Sequence, residues 1–412
     1  MFKKFKIKPV DFFWAKLMAL SLALFFIFFA DGLLSYWVPG FIQSSVGSAF
    51  IMGLIMAFSS LIGLLTDLLL PQMLKNINIK SLLFIIIVLT FLFALVLIFS
   101  IQNPLIIIFL FAMFIWGVYF ELIGFINHEF VSTSIPSDKR TGAWAIISLF
   151  SSLAYFLAPL LALFLLEYND YFLVVSALFL TIISYFIFLL LKIKGSKTKI
   201  DTKEVSIFEE LKYWMILGKT VWPIVIIKFV LGVIDASFWT IGAVLSEKLV
   251  EQKVFLASLY LPFFTLPTLL MGFILVSVSI DTQKKKLSEL FLIISSFFLI
   301  LMGLNHDINW QLVCVLAIGV MHALAWPLTD AVYSDILSRM GHEKKHLIGI
   351  SNSVYSLAYI IGPILAGLLS SFFGEYWAFS LIGIFVLMVS IVLLIFTPKK
   401  LRVPQNEIKT WD

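Results

Sequence analysis

The sequence predicts an all-α integral membrane protein of twelve transmembrane helices in two pseudo-symmetric six-helix bundles. Three observations predict it: the composition, the recurrence of long apolar runs, and an internal repeat. Of 412 residues, 61% are hydrophobic and 13% charged, against roughly 45–50% and 25% in soluble domains. With 43 Phe and a mean hydropathy of +1.07, the chain holds more apolar surface than a water-facing fold can hide, so the lipid bilayer is its solvent.

Composition also narrows the chemistry. Cys314 is the single cysteine, which excludes an intrachain disulfide and a thiolate metal cluster. No cofactor and no metal site is expected. The net charge of +5 is spread over short loops rather than one soluble face, which argues against a nucleic-acid partner. Met1 to Lys8 is basic and precedes an apolar run, but the run lacks a small-residue cleavage site and is read as the first span.

A helix crosses the ~30 Å hydrocarbon core in about 20 residues. Runs of that length lie near 14–39, 46–70, 80–100, 104–130, 142–166, 171–192, 219–246, 252–280, 286–304, 309–336, 346–373 and 376–397. The loops test this count, because Lys and Arg are retained on the cytoplasmic side. With the N-terminus inside, all of the 29 basic residues except Lys228, Lys248 and Lys253 fall on inside segments. Outside loops carry acids such as Glu167, Asp170, Asp307 and Glu375. The reading is a multi-pass protein of the plasma (inner) membrane with both termini cytoplasmic.

One long polar segment divides the chain. Residues 1–191 form an N-terminal six-helix bundle, 192–218 a cytoplasmic linker with an amphipathic stretch at 207–217, 219–398 a C-terminal bundle and 399–412 a cytoplasmic tail. The halves repeat: Ser152, Leu153, Ala154, Tyr155 and Pro159 return 204 residues later as Ser356, Leu357, Ala358, Tyr359 and Pro363, and Asp31 returns as Asp235. Duplication of a six-helix unit explains these matches together.

This organisation resembles the major facilitator superfamily. Gly63 and Asp67 match part of that family's loop motif between spans two and three, although Leu68 to Gln72 lacks its Arg and Gly. Asp281 and the run beginning at Lys284 are the counterpart between spans eight and nine, without the glycine. Pro136 to Ala143, including Arg140, resembles the basic turn leading into span five, and Gly362 with Pro363 resembles a Gly-Pro element of antiporters, displaced here to span eleven. The resemblance implies a gating role for Gly63, Asp67, Arg140, Asp281, Lys284, Gly362 and Pro363. It also implies a central cavity lined by spans one, four, seven and ten.

Ionisable groups inside a span cost at least ~2.5–3.5 kcal/mol at the helix centre and tend to face a cavity or a partner. Those found here fall on the same four spans: Asp31; Glu121 and His128; Lys228 and Asp235; His322 and Asp330. Glu121 and His128 share a helix face beside Gly117 and Gly124. His322, Trp326 and Asp330 form a stripe of hydrogen-bonding groups with an aromatic wall. A buried carboxyl can exchange a proton as access alternates, which makes Asp31 and Glu121 the candidates for coupling to H+. The alternative for both is a structural hydrogen-bonded pair. Lys228 either pairs with an acid or attracts an anionic substrate, and the two histidines could be buried neutral rings.

The expected function is secondary active transport of a small-molecule substrate by alternating access, coupled to protons, with efflux of amphipathic or drug-like compounds as the leading reading. Import of sugars, organic anions or other metabolites is the alternative, favoured if Lys228 and the span-ten stripe face the cavity. A membrane-embedded transferase would need clustered polar groups on an interfacial loop, and the outside loops are too short to hold one, so the chain is not read as an enzyme. A non-transporting sensor would be expected to have lost its intramembrane charges. Each chain holds both halves of a pathway, so a monomer is expected.

Overall fold

The computed structural model describes residues 12–73, 79–135, 140–190, 207–277, 283–337 and 344–398. In lipid every backbone N–H and C=O must be paired within its own segment, and apolar runs of this length satisfy that demand as helices. The first half comprises α1 (Phe12–Val46), α2 (Ala49–Met73), α3 (Ile79–Gln102), α4 (Ile106–Ser134), α5 (Arg140–Leu166) and α6 (Asp170–Leu190). The second half comprises α7 (Ile207–Ser237), a π-helical turn (Phe238–Gly242), α8 (Ala243–Leu249), α9 (Val254–Ser258), α10 (Tyr260–Ser277), α11 (Lys284–Met302), α12 (Ile308–Leu337), α13 (Lys344–Phe373) and α14 (Glu375–Phe396).

Among the described residues, 10 helical stretches are long and apolar enough to cross a membrane, with α7, the π turn and α8 counting as one over Lys212–Leu249. The broken pair α9 and α10, and α11 with its lysine-rich start, complete twelve spans. α7 begins at Ile207, inside the segment read as linker, because the amphipathic stretch runs into the span without a break. α1 continues to Val46, beyond the expected end at 39. Its 35 residues extend roughly 52 Å at 1.5 Å per residue, longer than the ~30 Å core.

α1 and the α7–α8 span sit innermost, each with 67% of its apolar window buried. α1 packs on α5 and α6, α7 on α13, and α11 on α12 and α14. The halves meet along two seams, α2 with α13 and α5 with α10. Small residues let the first seam close to backbone contact: a Cβ on Gly53 would collide with the Pro363 carbonyl and lie 3.4 Å from the Gly367 Cα.

The repeat extends to packing. A Cβ on Gly32 of α1 would lie 2.7 Å from the Ala158 Cβ of α5, and one on Gly362 of α13 would lie 2.9 Å from the Ala236 Cβ of α7. These are the same two positions 204 residues apart, with glycine and alanine exchanged between the partners.

The short loops gather at the end opposite the linker. Gly374 turns α13 into α14 at φ +81°, a conformation that side chains disfavour. In the loop before α12, Asp307 accepts hydrogen bonds from the Trp310 and Asn309 backbone N–H groups at 3.2 and 3.0 Å and from the Asn309 side chain. These bonds, the Trp310 one foremost, hold its carboxyl below the usual range and cap the helix.

Candidate functional site: a cavity between the halves

A cavity of about 660 Å³ lies between the halves, with walls from α1, α2, α4 and α5 of one and from α7, the π turn, α10, α12 and α13 of the other. Its aromatic lining includes Trp116, Tyr155, Trp239, Phe264, Trp326, Tyr355 and Tyr359, with hydroxyls from Ser59, Ser148, Ser151 and Thr268. The Tyr155 and Trp239 rings, one from each half, meet at 5.5 Å. Three carboxyls, Asp31, Glu121 and Asp235, line it, and no Lys or Arg is among the described residues that do.

Asp31 is 1% exposed and enclosed by donors. Tyr119 of α4 donates to Oδ1, Tyr155 of α5 to Oδ2 at 2.7 Å, and Ser35, one turn on, to Oδ2 at 3.4 Å. The Trp116 indole also donates to this carboxyl. Asp235 of α7 accepts from Tyr359, the repeat of the Tyr155 bond, and is only half-buried. The other donors are not repeated: 204 residues after Tyr119, Trp116 and Ser35 stand Ala323, Val320 and Trp239. The π turn begins three residues after Asp235 and carries Trp239 on the cavity wall, in keeping with the concentration of such turns at functional sites.

Glu121 reaches the cavity from α4, and its carboxyl hydrogen-bonds to that of Asp67 on α2. Each acid lies four residues after a glycine on its own helix, and the two glycines set the crossing. A Cβ on Gly63 would lie 2.8 Å from Glu121 Oε1, and one on Gly117 would collide with the Ser59 carbonyl of α2. Asp67, expected to act as a gate, is therefore the partner of Glu121. A hydrogen bond between two carboxyl groups requires a proton on one of them.

The remaining expected residues divide between the cavity and its surroundings. His322 and Trp326 line the cavity with ring centroids 5.3 Å apart. His322 is 8% exposed and its Nδ1 has no hydrogen-bond partner among the described residues. Lys228 lies off the cavity, donating to Asp330 at 3.2 Å and Ser351 at 2.6 Å; of the two readings weighed for it, the geometry matches pairing. Asp330 follows Lys228 off the wall, and Thr329 bonds to Ser288, so the span-ten stripe faces the cavity only through His322 and Trp326. His128 is exposed against Trp144, with ring centroids 4.6 Å apart, and does not share the cavity with Glu121. Lys284 bonds to Asp335 at 2.8 Å within the second half. Gly362 packs on α7, and Pro363 lies where α13 meets both α2 and the cavity. Arg140 begins α5 with a side chain outside the described residues, as is the whole of Asp281.

The cavity is sealed at the short-loop end. Tyr36 and Ser246 bond across the halves at 2.9 Å. Gln43 of α1 donates to Glu375 of α14, which also takes Lys248 at 2.6 Å. The Glu247 carboxyl lies against α1 where Gly40 leaves room. Toward the linker end, exposed Ser148 and Pro327 line the cavity, and among the described residues a Cβ on Gly124 of α4 would meet nothing within 4 Å. Among the described residues, the cavity is thus open toward the end where α6 stops and α7 starts.

Sequence reasoning had no signal for Tyr119, Trp116 or Trp239, since single aromatic residues are unremarkable in a chain with 16% aromatic content. Tyr155 and Tyr359 were visible only as members of the repeat.

Comparison with known proteins agrees with this architecture. No curated protein sequence matches the chain. Among solved structures, a bacterial homolog of the human lysosomal transporter Spinster, inward-facing and unoccupied, superposes with a TM-score of 0.71 at 12% identity, covering 94% of this chain and 97% of that one. A POT family transporter in complex with a thioalcohol-conjugated peptide gives 0.71 at 14%, covering 93% and 96%, and a D-xylose–proton symporter 0.69 at 13%, covering 93% and 98%. The sequence matches the family model described as Major Facilitator Superfamily over residues 126–342 and 263–411. With twelve helices in two repeated halves around one central cavity, the chain belongs to the major facilitator superfamily of membrane transporters.

Proposed function

We propose that the protein is a proton-coupled exporter of amphipathic small molecules, working by alternating access with both termini in the cytoplasm. The observation that carries this reading is the cavity itself, walled by rings and by acids from both halves, closed at the short-loop end and, among the described residues, open toward the linker end. In the proposed orientation that opening faces the cytoplasm, from which an exporter loads. Aromatic walls interspersed with hydroxyls and acids suit a ligand that carries both an apolar body and a polar group.

Coupling is assigned to Glu121. It is the cavity acid whose partner is another carboxyl, and a proton held between Glu121 and Asp67 leaves or returns as their surroundings alternate between dry and wet. Asp31, the other candidate read from the sequence, already accepts from Tyr119, Tyr155, Trp116 and Ser35 and is assigned to holding α1, α4 and α5 together.

The hydroxyl-bearing walls of α2, α5 and α10 favour one second reading, uptake of a neutral polyhydroxy solute such as a sugar. Import of anions loses its support with Lys228 off the cavity.

The test is proton movement in proteoliposomes, followed with a pH-sensitive dye, against a panel of amphipathic cations, sugars and organic anions. Wild type should exchange protons for an amphipathic compound, Glu121→Gln should lose the exchange, and Asp31→Asn should lower the yield of folded protein. Proton flux that survives Glu121→Gln unchanged overturns the assignment, and sugar-dependent flux selects the second reading.

A further inference from the structure

The geometry points to a lipophilic organic cation as the ligand, with Asp235 as its counter-charge and the rings of Trp239, Trp326 and Tyr355 around its apolar body. This deepens the transporter reading. It rests on that reading for the movement of the ligand, not for its binding.

Charge gives the first argument. A cleft with walls of low dielectric and one sign of charge concentrates its field, and this one has three carboxyls and no cationic side chain among its described lining residues. Lys228, which could have balanced an anion, is held by Asp330 and Ser351. An anion entering here would shed water without meeting a cationic side chain among the described lining residues.

Availability gives the second. A carboxylate has about four lone-pair sites. Those of Asp31 are taken by Tyr119, Tyr155, Trp116 and Ser35, and Glu121 is engaged with Asp67. Asp235 accepts from Tyr359, is half-buried and lines the cavity. With Val320 and Ala323 at the positions that repeat Trp116 and Tyr119, this aspartate keeps capacity for a ligand, where its twin serves the fold.

Size and wall chemistry give the third. An inorganic cation seeks several oxygen ligands at once, and no three His, Cys, Asp or Glu side chains converge to hold one among the described residues. The volume of about 660 Å³ lies within the ~300–1,000 Å³ of drug-sized sites. Aromatic faces attract organic cations, most strongly where water is excluded. His322 is 8% exposed on this wall, and its Nδ1 has no hydrogen-bond partner among the described residues.

The experiment is calorimetric titration of the full chain in detergent with three probes of similar shape, each alone: the cation tetraphenylphosphonium, neutral triphenylphosphine oxide and the anion tetraphenylborate. Wild type should bind tetraphenylphosphonium at least tenfold more tightly than either of the others. Asp235→Asn should weaken it at least tenfold, Asp235→Glu should restore most of the affinity, and Glu251→Gln on an exposed loop should leave it unchanged. Trp326→Leu should weaken it several-fold.

Equal binding of the three probes, no binding of the cation, or full affinity in Asp235→Asn overturns the proposal. The wild-type comparison decides even if that variant does not fold. In proteoliposomes, a cation that binds without being moved preserves this site and defeats the transporter reading, whereas movement of a sugar or anion without cation binding does the reverse.

Discussion

Tyr155 donates a 2.7 Å hydrogen bond to Asp31 across 124 residues of chain, and Tyr359 reaches Asp235 across the same separation. The bond ties the fifth helix of each half to the first. Around it the halves differ, because Tyr119 and Trp116 also serve Asp31 and have no equivalent beside Asp235.

That difference should appear as stability. Tyr119→Phe removes one donor from a carboxyl that is 1% exposed, a loss of about 1–3 kcal/mol for a buried acceptor left short of a partner. Tyr359→Phe leaves Asp235 in contact with cavity water and should cost less. Apparent unfolding midpoints in detergent should fall further for Tyr119→Phe, and equal falls would mean that the two aspartates are equally buried in function.

Infrared spectroscopy reads the Glu121–Asp67 pair directly. A shared proton should give a protonated-carboxyl stretch that shifts in deuterated buffer and vanishes in Glu121→Gln. Gly63→Ala keeps both acids but places a Cβ 2.8 Å from Glu121 Oε1. It should displace Glu121 and lower proton-coupled flux at least several-fold while Asp67→Asn still folds. A wild-type band at the same position in Glu121→Gln would assign the proton elsewhere.

Lys228 and Asp330 allow a double-mutant cycle that separates structure from transport. Their side chains are 12% and 47% exposed, so the pair is partly screened, and its coupling should be about 1 kcal/mol or less. Lys228→Ala should lower the unfolding midpoint slightly and leave tetraphenylphosphonium affinity within twofold. A tenfold change in affinity would return Lys228 to the substrate path.

Backbone contact between α2 and α13 flanks the seal at the short-loop end. Gly367→Leu places bulk where a Cβ would already collide with the Ala49 carbonyl and should hold the helices apart. With Cys314 replaced by Ser, no native thiol remains, so spin labels can be placed at Ser44 and Phe372, where Phe372 is 75% exposed. Pulsed electron resonance should then report a longer distance in Gly367→Leu, and transport should fall at least tenfold. An unchanged distance would show that the seal lies with the Gln43–Glu375–Lys248 bonds instead.

The topology was legible because its causes are local and redundant. Span length answers to bilayer thickness, and loop charge answers to retention of Lys and Arg. The 204-residue repeat then paired the halves. Partners were less legible. Nothing near Lys228 in sequence singles out Asp330 from Asp235, which lies seven residues along the same helix and instead takes Tyr359. The face shared by Glu121 and His128 was read correctly as geometry, but the cavity reaches only the first of them. The π turn at Phe238–Gly242 left no periodic signature because apolar residues surround it on every side.

The exchanged glycines bear on how such a duplication ages. At the contact of first and fifth helices, one half carries Gly32 with Ala158 and the other Ala236 with Gly362. What is preserved is the combined bulk of the two side chains, and either helix can hold the smaller one. Aligned position by position, both sites count as mismatches between the halves, although the interhelical spacing they maintain is shared. Kinship between the halves is therefore better measured on pairs of touching residues than on single columns, and the lone tetrapeptide that survives in the chain understates it.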